Sequence, residues 1–203
     1  MALLIASGQT SESSDGAAVA EALLYGFEMA PATRTSGLPP DVQRRLVRYR
    51  QREASFTPTM APPVDLDGPL GSLYFKRVRM ARTVFSLVDR PDALTLAESV
   101  VTNIQFLYEW EGFADSPLRE AASADEFVAE HRASPAAPYL YLFAGHRRLC
   151  AVSGLEGLDP QSPEGHLVAA EAEAQLTHAR DAGDSLLRVA AEYLLRTRKC
   201  YER

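Results

Sequence analysis

Between Ser134-Pro135 and Cys150-Ala151 the chain runs through Tyr139, Leu140, Tyr141, Leu142, Phe143 and Ala144 without a polar position, and this is its most apolar stretch. Six apolar residues in a row leave no polar face over nearly two turns, which predicts a helix buried on most of its circumference. A buried strand is the rival for so short a run. Length decides for the helix, because His146, Arg147, Arg148, Leu149 and Cys150 carry the segment beyond the usual strand. The remaining segments read as amphipathic helices that cover this one.

Taken in order, residues 7–15 are rich in Ser, Thr and Glu and predict a mobile tail, so that 1–14 stand outside a single all-α domain over 15–203. From Asp15 to Ala30, Val19, Leu23, Leu24 and Phe27 recur at helical spacing and Pro31 stops them. A second helix follows Pro40-Asp41 with Val42, Leu46 and Tyr49 on one side and Arg44, Arg48 and Arg52 on another. Residues 57–69 hold Pro58, Pro62, Pro63 and Pro69 and read as a linker that separates a small N-terminal helical pair from the main array. Helices are then expected over Leu70–Val88 and Ala93–Glu111, the latter on a stripe of Ala97, Val100, Val101, Ile104, Leu107 and Tyr108. Ser116-Pro117, Ser134-Pro135 and Ser162-Pro163 each predict a helix start, the hydroxyl capping and the proline filling the first turn. Gly183-Asp184 separates a helix over Glu164–Ala182 from one over Ser185–Arg198. Short connections predict antiparallel hairpins, about eight helices in all.

Composition sharpens this picture in two places. Residues 1–91 carry 11 Lys/Arg against 9 Asp/Glu, whereas residues 92–203 carry 10 against 18, so the chain is acidic overall with a local basic region. That balance argues against general nucleic-acid binding. The two cysteines, Cys150 and Cys200, are too few and too distant in sequence for a disulfide framework, and reduced, packed thiols are expected. Met1 to Ala6 is too short for a secretory leader or a membrane span, which points to the cytoplasm.

Candidate chemistry is sparse. Asp65-Leu66-Asp67-Gly68 resembles the nucleophile loop of haloacid-dehalogenase-type phosphatases, but Pro62-Pro63 precede it where a central strand should run, and a polar turn is expected. His146 and Cys150 share a helix face at a ligand-competent spacing, yet two ligands do not make a metal site. Glu109 and Glu111 flank Trp110 and, on a helix, point too far apart to act together. Gly145 inside the apolar helix predicts a close backbone approach, expected from the small-faced helix of Ala121, Ala122 and Ala129.

Ser123, Phe127, Pro135, Tyr141 and Gly145 stand at successive intervals of four, eight, six and four. This spacing resembles the junction between two tetratricopeptide-like repeats, although Arg148 stands where an aromatic is usual and Gln161 lies 34 residues beyond Phe127. The resemblance implies a scaffold or partner-binding role. The residues read as a non-catalytic module that binds another protein, with Arg44, Arg48, Arg52, Trp110, Tyr139 and Tyr141 as contact residues and no cofactor or metal. The alternatives are an enzyme or metal site near His146 and Cys150, and weak nucleic-acid binding through the Arg44–Arg52 helix.

Overall fold

The computed structural model describes residues 8–26, 37–108, 110, 113–153 and 157–200. Among them the chain is all-helical, with eight helices: α1 (Gly8–Tyr25), α2 (Pro40–Ser55), α3 (Pro69–Leu87), α4 (Ala93–Asn103), α5 (Asp115–Glu130), α6 (Ala137–Ser153), α7 (Pro163–Asp181) and α8 (Ser185–Thr197). The apolar helix is the hub, since α6 packs along α5, α7 and α8. Leu140, Leu142, Phe143, Ala144 and Leu149 are buried in a core to which α1, α2, α3, α4, α5, α7 and α8 also contribute.

Each helix from α2 onward packs on its neighbour in the chain, and α1 then lies against α8 and α3 while α2 reaches α8. The first and last helices therefore meet, whereas an open repeat array keeps its terminal helices apart. Arg45 and Arg52 of α2 secure one of these contacts. Arg52 donates to the carbonyls of Phe85 and Val88 and Arg45 to that of Leu87, satisfying groups at the C-terminal end of α3 that have no helical partner.

The segment after α2 is anchored rather than free, with Phe56 buried against Phe85 and Met60 on the core. It closes onto α3 at Gly71, where an added Cβ would lie 1.8 Å from the carbonyl oxygen of Leu66. Only glycine permits that crossing.

Several boundaries differ from the sequence reading. α1 begins at Gly8, ahead of the start at Asp15 read from the sequence. The helix from Ala93 stops at Asn103, because backbone groups of the next residues find partners outside a helix: Gln105 N–H donates to Ser123 Oγ, Leu107 N–H to Glu120, and the Leu107 carbonyl accepts from Lys76. Of the three Ser-Pro signals, Ser162 caps α7, accepting from Gly165 N–H at 2.9 Å, and Ser134 Oγ accepts from Ala136 N–H at 3.3 Å just ahead of α6, whereas α5 starts before Ser116. Asp184 caps α8 as expected.

Gly145 does mark a close approach, but the neighbour is α7. A Cβ there would lie 2.8 Å from Leu176 Cγ and 3.2 Å from the Ala172 carbonyl oxygen. Ala122 and Ala129, assigned to that contact from sequence, are exposed.

Candidate functional site

The most elaborate chemistry in the molecule is buried between α3, α5 and α6. Glu120, 0% exposed, occupies the apolar side of α5 in register with Pro117, Ala121, Ala124 and Phe127. A carboxylate there is costly unless each oxygen is satisfied. Oε2 accepts from Arg147 Nε at 2.7 Å, while Oε1 accepts from Trp110 Nε1 at 3.2 Å and Leu107 N–H at 3.1 Å and lies 3.6 Å from Lys76 Nζ. Two cations thus face one carboxylate.

Arg147 is packed as well as paired. Its guanidinium lies 4.2 Å from the Phe143 ring centroid, 4.7 Å from that of Trp110 and 5.9 Å from that of Tyr25, so aromatic faces replace part of its hydration. Burial opposes its charge, but the Glu120 carboxylate beside it holds the guanidinium above its usual range. Burial likewise lowers the Lys76 ammonium and raises the Tyr25 phenol, with Glu120 and Arg147 respectively pulling the other way.

Arg147 Nη1 reaches His146 Nδ1 at 2.9 Å. A guanidinium can only donate, so Nδ1 is the acceptor and the ring proton sits on Nε2. Burial, aided by the Arg147 charge, holds His146 well below its ordinary pKa and therefore neutral. Its Nε2 faces Cys150 Sγ at 3.6 Å.

Cys150 is joined to Cys200 by a disulfide, with sulfurs 2.06 Å apart and Cα atoms 4.8 Å apart. The expectation of two reduced thiols is corrected. A separation of 50 residues conceals their proximity, because the α7–α8 hairpin returns the end of the chain to α6. Arg198, at φ 53°, ends α8 in the left-handed conformation and turns residues 198–200 toward α6. Cys150 is 2% exposed and Cys200 partly exposed.

His146, Cys150 and Cys200 place three ligand atoms within 4.8 Å of one another, the arrangement of an incomplete metal site. Two features oppose that use. The sulfurs are spent on each other, and Arg147 keeps the proton on the very nitrogen that faces them. Nor does Glu120 have the access an acid or base needs, since it is fully buried and its oxygens are occupied.

The residues expected to contact a partner are scattered. Tyr139 is buried, its phenol raised by burial. Trp110 is half-buried on Glu120, and Tyr141 stacks at 5.1 Å on His178. Arg52 is committed to α3, leaving Arg44 and Arg48 exposed. Glu109 and Glu111 lie outside the described residues. Asp65 and Asp67 form an exposed turn in which Asp67 N–H donates to Asp65 Oδ1. Sequence reasoning missed Glu120, whose signal was a lone acid inside an i, i+3, i+4, i+7 apolar set.

Six exposed apolar side chains fall on two stretches of the chain. Val64, Leu66, Leu70 and Phe75 come from the end of the proline-rich segment and the start of α3, and Tyr108 and Phe113 from the stretch before α5. Lys76 joins the two segments, bonding the Leu107 carbonyl and lying 5.6 Å from the Trp110 ring centroid. Two clefts lie away from them. One of about 160 Å³, lined by Val84, Val88, Tyr139 and Leu187, is smaller than most ligand sites; the other, about 480 Å³, is lined by Leu96, Phe127, His131 and Pro135.

No family model, curated protein or solved structure matches the chain. No described helix is long and apolar enough to cross a membrane.

Proposed function

We propose that this chain is a non-catalytic helical module that binds another protein through exposed apolar side chains of residues 64–75 together with Tyr108 and Phe113. The observation that carries the reading is that Val64, Leu66, Leu70, Phe75, Tyr108 and Phe113 are all exposed and fall on two stretches of the chain that Lys76 ties together. Single exposed apolar residues need no explanation, whereas several on two segments held together by one side chain suit a contact surface. The occupied state of Glu120 supports the non-catalytic part of the proposal, and the reading calls for no cofactor. The arginine ladder supports nucleic-acid binding less than its sequence did, because Arg45 and Arg52 are turned inward onto α3.

A photo-crosslinking residue at Leu70, compared with one at exposed Leu167 on α7, tests the proposal in the native host. A discrete adduct from position 70, absent from position 167 and lost on Phe75→Glu in a folded protein, is expected. Equal adducts from both positions, or none from position 70, would overturn it.

A further inference from the structure

We propose that the Cys150–Cys200 bond is a thiol–disulfide exchange site, at which a low-molecular-weight thiol attacks Cys200 and Cys150 departs as a thiolate hydrogen-bonded by His146. Three independent features of the geometry point the same way. The first is access. Cys150 is enclosed in α6, whereas Cys200 is partly exposed in the non-helical tail, so an external thiolate approaches the bridge from the Cys200 side.

The second feature is the fate of the leaving group. Exchange is faster when the departing sulfur is the better stabilised thiolate. His146 Nε2–H is aimed at Cys150 Sγ, and its proton is fixed on that nitrogen by Arg147, which is in turn held by Glu120. The buried network, otherwise without a catalytic use, thus supplies a polarised donor at the sulfur that must accept an electron pair. The third feature is the tail, which leaves the helix after Arg198 and is held at the surface by the Arg198–Glu173 ion pair and by Lys199 N–H on Thr197 Oγ1, contacts that let Cys200 withdraw after exchange.

The step balances. The external thiol loses its proton to solvent, its sulfur bonds Cys200 Sγ, the Sγ–Sγ bond breaks, and both of its electrons pass to Cys150. A second thiol then attacks the mixed disulfide, releasing Cys200 as a thiolate and leaving the two external thiols oxidised to their disulfide. Two electrons are transferred, from the small thiols to the protein bridge.

Oxidised full-length protein is incubated with glutathione as the probe, quenched in acid, alkylated and mapped by peptide mass spectrometry. The expected species carries glutathione on Cys200 and the alkyl group on Cys150. Glutathione found on Cys150, or a bridge that resists exchange as long as the chain stays folded, would overturn the proposal. His146→Leu is expected to slow exchange about tenfold, while His146→Gln, whose amide can accept from Arg147 and donate to sulfur, restores most of the rate. Equal rates in folded His146→Leu and the parent would remove the histidine from the step; if His146→Leu does not fold, the position of glutathione in the parent still decides the proposal.

Discussion

Arg147 and Arg148 are consecutive residues of one helix, and both are held by carboxylates, yet they sit in different electrical worlds. Arg147 meets a fully buried Glu120, with their side chains 5% and 0% exposed. Arg148 reaches Asp125 of α5 at 2.5 Å and Glu171 of α7 at 2.9 Å, partners that keep 37% and 46% of their side-chain exposure. Gln175 completes this outer group, accepting from Arg148 and donating to Asp125. The inner pair has replaced its hydration by protein donors and aromatic faces. The outer group keeps much of its water, so it can lose a partner and be resolvated.

The comparison breaks most directly at Glu120. Glu120→Ala is expected to cost about 3–5 kcal/mol in urea unfolding, because it leaves Arg147 and Lys76 buried without their counter-charge and removes the acceptor of Trp110 and Leu107. Glu120→Leu combined with Arg147→Met should recover part of that loss. A single substitution costing less than about 1 kcal/mol would show that the inner pair is as solvated as the outer one.

The next test concerns the spacing that lets the outer group bridge α5 and α7. Gly145→Ala pushes a Cβ to 2.8 Å from Leu176 Cγ, within a core atom rather than a flexible tip, and 3.2 Å from a backbone carbonyl. A cost of about 1–3 kcal/mol is expected, and Gly145→Leu should be worse. Thermal unfolding decides between this and a contact with α5, for which alanine would be mild.

How much of this was legible in the sequence depends on where the deciding partner lay. The caps at Ser162 and Asp184 and the buried stripes of α2 and α8 were readable, because their partners lie within a few residues. The end of α4 was not: Ile104 and Leu107 extend its apolar period, but Lys76, Glu120 and Ser123 capture the backbone after Asn103, and their nearness is a tertiary fact. His146 and Cys150 could be placed on one helix face from their spacing, whereas Cys200 joins them only through the return of α8. Gly145 announced a close contact without saying with which neighbour.

His146 sharpens the inner side through pH. It is faced by Arg147 on its own helix, by the Tyr25 ring from α1 at 6.0 Å, and by the Cys150–Cys200 bridge. Burial and the Arg147 charge depress its pKa in the folded state. Below about pH 6.5 the unfolded chain's His146 therefore takes up a proton that the folded one does not, and its share of stability, complete above that pH, is lost as pH falls. One proton is worth ~1.4 kcal/mol per pH unit. Unfolding measured from pH 7 to pH 5 should fall more steeply for the parent than for His146→Gln, and parallel curves would mean that the ring is protonated in the fold.

The smallest effect belongs to the outer group. Glu171→Gln removes one charge from Arg148 but leaves Asp125 and Gln175 in place, and position 171, half exposed, stays open to water. The expected cost is about 0.2–1 kcal/mol. Salt is the discriminating variable, because charges at the surface are screened at physiological ionic strength and buried ones much less. Raising the salt from about 0.05 to 0.5 M should therefore erase most of the Glu171→Gln difference while leaving the Glu120→Ala difference almost intact. If both differences shrank together, the exposure of Asp125 and Glu171 would not be what separates Arg148 from Arg147, and the contrast between the two arginines would have to rest on packing alone.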